Sequence, residues 1–169
     1  MSRTVISIGI LVFCLAVCGS PKLIQAEEQT SETSRTVVTW LECEECTKGE
    51  LQAVVKLGAA ALPSLVASLR EGPSQASHEL LRRHLITTYQ ELKKYETIHP
   101  EAKVAMSEAE YVKTYVDNYS ALYQIRAATA LAAIGGSEAK RALEEATQAP
   151  LRDDVKAAVK DSLEKLKNP

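Results

Sequence analysis

From Ser107 to Ile134 the chain contains neither glycine nor proline, and its apolar residues recur at three- and four-residue steps. Val112, Tyr115, Val116, Tyr119, Leu122, Tyr123, Ala127, Ala130, Ala133 and Ile134 follow that step, the period of one helical face. Ser107 and Glu110 have the Ser-x-x-Glu spacing of a capping box, so the helix should start there. Gly135 and Gly136 should end it. At 1.5 Å per residue such a helix is about 40 Å long, enough for shorter helices to bury their faces along it. The rest of the chain should therefore be helical and arranged around this segment.

The flanking sequence fits that expectation. Thr47 and Glu50 repeat the capping-box spacing ahead of Leu51, Val54, Val55 and Leu57, and Gly58 is a natural stop. Leu62, Leu65, Val66 and Leu69 share a face of a second helix, with Pro63 tolerated in its first turn and Gly72-Pro73 ending it. These two helices read as a hairpin. A third helix should run from about Ser74 to Thr97, ending before Pro100. Beyond Gly135-Gly136, Ser137 should cap a helix to about Gln148, and Asp153 should open a last one carrying Val155, Val159, Leu163 and Leu166. The segment Val37, Val38, Trp40 and Leu41 is too short for periodicity to separate a helix from an extended lead-in.

The N-terminus has the layout of a secretory signal peptide: Arg3, then an uncharged apolar run from Val5 to Val17. That run is too short for a membrane-spanning helix. Cleavage is expected between Ala26 and Glu27, so residues 1–26 form the leader and the product is periplasmic or secreted. Leu15-Ala16-Val17-Cys18 also resembles a lipobox, although Val17 stands where a small residue is wanted; the alternative is a lipoprotein anchored through Cys18. Residues 27–35 are polar without an apolar anchor and read as a flexible lead to one domain over 36–169. Removing Arg3 and Lys22 leaves 18 basic against 22 acidic residues, a net charge of −4. An acidic surface argues against nucleic acid as a partner.

A repeat emerges when Tyr123, Leu131 and Ile134 are set against Val155, Leu163 and Leu166, the same apolar pattern 32 residues later. Cys46, Val54 and Leu57 fit it too. At Leu57-Gly58-Ala59-Ala60-Ala61-Leu62-Pro63-Ser64-Leu65 and Arg126-Ala127-Ala128-Thr129-Ala130-Leu131-Ala132-Ala133-Ile134-Gly135 the sequence resembles the HEAT/armadillo class of helical repeats. The resemblance covers roughly residues 47–71 and 119–167; residues 74–118 are too long and too Tyr-rich for an ordinary repeat. It implies an all-α fold, a short right-handed α-α superhelix of about six helices with a long central one. It also implies a surface that binds a partner, either another protein or an envelope component.

Two groups of residues stand out as sites. Cys43 and Cys46 are the cysteines left once Cys14 and Cys18 depart with the leader, and in an oxidising compartment they read as a disulfide. A reactive dithiol is disfavoured because Glu42, Glu44 and Glu45 crowd the thiols and oppose the thiolate. Haem attachment would need a histidine where Thr47 stands. Zinc would need two more ligands, and His78, His84 and His99 have no partner at ligand spacing, so no metal or cofactor is expected. The second group is Tyr111, Tyr115, Tyr119 and Tyr123, four residues apart, with Arg126 at about 60° on the same apolar face. Such a stripe is either core, with Arg126 bonded to a neighbouring carbonyl or carboxylate, or a groove that takes a partner. No nucleophile triad, phosphate loop or carboxylate pair rises above chance. The expected role is a non-catalytic binding or scaffolding module; the rivals are a thiol-disulfide or metal protein acting through Cys43 and Cys46, and a self-associating structural protein.

Overall fold

The computed structural model describes residues 21–43 and 45–167, with side chains from residue 32 onward. Its described residues are all-α. The helices are α1 (Pro21–Glu42), α2 (Lys48–Leu57), α3 (Leu62–Glu71), α4 (Gln75–Ile98), α5 (Glu108–Ile134), α6 (Gly136–Ala146) and α7 (Asp153–Lys167), with a 3-10 turn, Gly58–Ala61, between α2 and α3. The leader residues up to 20, Cys18 among them, lie outside the described ones. Ala26 and Glu27 lie within the backbone of α1.

Both expected capping boxes form. Glu50 accepts from the Thr47 backbone N–H at 2.6 Å, and Glu110 accepts from that of Ser107 at 2.8 Å. In each, the hydroxyl of the capping residue accepts a first-turn N–H in return. These bonds pull both carboxyls below their ordinary pKa, through the Thr47 side chain first at Glu50 and the Ser107 backbone first at Glu110.

Three expectations change, and one left open is decided. Residues 27–35 are helical, part of α1; the segment lacks Gly and Pro, and downstream Val37, Trp40 and Leu41 are buried and hold the helix in place. The same packing makes residues 36–41 helical. Ser137 is not a cap: Gly135 at φ 74° ends α5 and opens α6 at once, because positive φ at Gly135 and Gly136 reverses the chain in the fewest residues. Finally, α2 and α3 scarcely touch one another. The partner of α2 is α1, and α3 packs chiefly on α5.

The main core gathers around the second half of α5. Ala127, Ala128, Ala130 and Leu131 are wholly buried there, against Leu41, Val54, Leu65, Leu143, Val155 and Val159. The small alanines let neighbouring backbones come close. A separate, smaller cluster of Leu85, Tyr111 and Val112 lies between α4 and the first half of α5, with Leu81, Ile86, Tyr89 and Val116 around it. Taken together, Lys48–Glu71 is long enough to span a membrane and holds an 18-residue window with a mean hydropathy of 1.4. Gly58 at φ 53° breaks it, and Val54, Ala61, Leu62, Leu65 and Leu69 are core.

Candidate functional site

Polar side chains of α5 bond to the ends of the helices around it. The last carbonyls of a helix have no partner within the helix, so a donor from elsewhere must supply one. Arg126 Nη1 donates to the Leu41 carbonyl at 2.9 Å, at the end of α1, and Gln124 Nε2 donates to the Leu69 carbonyl at 3.2 Å, near the end of α3. In return the Trp40 indole N–H donates to the Arg126 carbonyl at 3.1 Å. A cation at a helix C-terminus also meets the negative end of the helix dipole. Burial lowers the pKa of the Arg126 guanidinium, with the Tyr119 phenol acting against it; arginine stays charged all the same.

His78 lies 2.8 Å from the Ser120 hydroxyl through Nε2. Ser120 already donates its own proton to the Val116 carbonyl at 2.9 Å, so Nε2 of His78 carries the hydrogen in this bond. This contact joins the start of α4 to α5. Here Gly72, at φ 74°, would place a Cβ only 3.7 Å from that of Ser120, so the chain turns into α4 at close range.

The tyrosine stripe divides into two pairs. Tyr111 is buried and Tyr115 exposed, their ring centres 4.6 Å apart, with Tyr89 of α4 at 5.4 Å from Tyr111. Tyr123 is buried and Tyr119 half-buried, 5.7 Å apart. The Tyr119 hydroxyl donates to Glu42 Oε1 at 3.1 Å. Burial first, then the Glu42 charge, pushes the Tyr123 phenol up to about 12 and the Tyr119 phenol higher. Arg126 is thus brought to the second pair and to the end of α1, while Tyr111 and Tyr115 stand apart from it along the helix.

Cys43 and Cys46 pair as a disulfide, with Cα atoms 5.3 Å apart, in the link between α1 and α2. The bridge closes the chain immediately after Glu42 and so holds the end of α1. Among the described residues no three His, Cys, Asp or Glu side chains gather as a metal site would require.

Between the end of α1, the first turns of α4 and Tyr119 lies an open groove of about 320 Å³, lined by Glu42, Ser77, Leu80, Leu81, His84 and Tyr119. Of these only Tyr119 belongs to the binding surface expected from the sequence, where His84 figured solely as a zinc ligand without a partner. Glu42 had a weak signal as one of the acids beside Cys43, but its bond to Tyr119 spans 77 residues, and no local pattern carries that. Comparison with known protein families, with curated proteins and with solved structures finds no match.

Proposed function

We propose that the chain is a non-catalytic, exported binding module that engages another protein or an envelope component through the α4–α5 hairpin. The observation that carries this reading is the distribution of exposed apolar side chains. Leu80, Leu92, Tyr95, Ile98, Met106 and Tyr115, six of the eight large apolar residues exposed among those described, lie on α4, on the loop after it or on the first half of α5. Scattered apolar exposure is ordinary, but concentration on one element is the mark of a contact surface. Ile98 is 74% exposed and Leu80 66%.

The HEAT/armadillo-like reading belongs to the same proposal. It is supported by two of the three positions at the 32-residue spacing: Tyr123 and Val155 are buried, and Ile134 and Leu166 both sit at the edge of the core, while Leu163 is only partly buried where Leu131 is wholly so. Export is supported by the sequence of residues 1–26. Cleavage after Ala26 would leave Thr33, Val37, Trp40 and Leu41, buried residues of α1, in the product.

The test is cross-linking and co-purification of the mature chain from its native envelope, beside Tyr95→Ser/Ile98→Ser. Both substituted residues are exposed, so the variant should fold. The expected result is one retained component, lost from the variant; equal capture by both forms would defeat the reading. The same surface also fits self-association, and light scattering over a concentration series would reveal it as a rising mass that the double variant abolishes.

A further inference from the structure

The groove beside Glu42 combines an apolar floor with one fixed carboxylate. Leu80 and Leu81 line it together with Tyr119, and Leu80 is left 66% exposed. The Tyr119 hydroxyl donates to Glu42 Oε1, and the Tyr123 phenol also lies close enough to the Glu42 carboxylate to feel its charge; both partners are neutral, so the negative charge is left without a cation. None of the ion pairs among the described residues uses Glu42. The nearby cation, Arg126, is turned to the Leu41 carbonyl. Glu42 also ends α1, where the helix dipole adds to the negative potential. No lysine or arginine lines the groove.

This arrangement complements a side chain with an apolar stem and a cationic head. Lysine and arginine lay their methylenes on apolar surface while the head seeks a carboxylate. A tyrosine ring in the wall adds attraction for the cation. A volume of about 320 Å³ is at the small end for a ligand site and suits one such side chain with its neighbours. We propose that this groove receives a lysine or arginine of a partner polypeptide, its stem over Leu80, Leu81 and Tyr119 and its head on the Glu42 carboxylate. The proposal rests on the reading of the chain as a binding module and names the chemistry its partner must present.

The probe is a blocked hexapeptide of alternating Leu and Lys, titrated into the mature protein and followed by amide NMR shifts. Its counterpart with Glu in place of Lys, and spermidine, complete the set. Saturable shifts at Leu80, Leu81 and Tyr119 are expected with the Lys peptide alone. Glu42→Gln keeps an acceptor for the Tyr119 hydroxyl while removing the charge, and it should weaken binding about fivefold, the scale of a solvent-exposed ion pair. Its melting temperature should be unchanged, which separates lost binding from lost fold. Absence of shifts, equal shifts with the Glu peptide, or an unweakened Glu42→Gln would overturn the proposal. Saturation by spermidine at similar concentration would overturn the polypeptide source in favour of a free polyamine. If the peptide fails while envelope capture still depends on Tyr95 and Ile98, the groove proposal falls and the binding-module reading stands; if both fail, both fall.

Discussion

The C-terminal part of α5, from Tyr119 to Ile134, packs against α1, α2, α3, α6 and α7, whereas the apolar residues of its first part pack on α4 alone. The two halves are one unbroken helix, so their difference comes from what covers them. The enclosed half is rich in alanine and sends Gln124 and Arg126 to the ends of neighbouring helices. The other part carries Val112 and Val116 beside its two tyrosines, and it offers an exposed flank with Tyr115 at 47%. Most of the buried core thus gathers at one end of the helix and a smaller cluster at the other, while Tyr115 and Leu122 are exposed, one in each part. A rigid base presenting a less buried arm is a sound arrangement for recognition, since contact residues can be exposed without weakening the fold.

The contrast should be largest in core truncations. Leu131 is wholly buried and Leu85 nearly so, but Leu85 sits in the small cluster, where neighbours can close around a gap. Leu131→Ala should cost about 4 kcal/mol and Leu85→Ala about 2, at the two ends of the range for buried leucines. Denaturant unfolding of both variants measures this. Leu131→Asp, which leaves a charge unpaired in the core, should prevent folding. Equal losses at Leu131 and Leu85 would erase the distinction between the halves.

A smaller effect should appear at alkaline pH. The phenols of Tyr111 and Tyr123 are both raised above the ordinary value of 10, by burial first in each case, and Tyr123 reaches about 12. A phenol raised in the folded state stays protonated there after it has ionised in the unfolded chain. Its contribution is therefore complete below pH 10 and is lost as pH rises through the folded value. For Tyr123 that window runs from 10 to about 12. Tyrosinate absorbance should show Tyr111, with thinner cover, ionising before Tyr123, and Tyr123→Phe should flatten the fall of melting temperature in that window. Ionisation of Tyr123 ahead of Tyr111 would place the better-covered phenol in the wrong half.

Much of this layout was legible in the sequence, and most of the failures share one cause; the Ser137 cap failed locally, because the glycines before it turn the chain. The period of α5, its Ser107–Glu110 start and its glycine stop are local signals, as is the Thr47–Glu50 box, and each forms as read. Polar residues 27–35 misled because helix continuation there depends on packing further along the chain. The tyrosine stripe was visible, but its division was not, since the angle around a helix says nothing of where covering elements stop along it. Glu42 joins the site through a contact 77 residues away, and Arg126 and Trp40 through contacts 85 and 86 residues apart. Such separations leave no periodic trace.

Amide hydrogen exchange resolved along α5 tests the contrast between its halves most directly. Amides from Ala121 to Ile134 should exchange only through global unfolding, and those from Tyr111 to Val116 markedly faster, through local opening of the α4–α5 hairpin. Protection that is uniform along the helix, or greater in its first half, would contradict the division of the molecule into a stable base and an exposed arm.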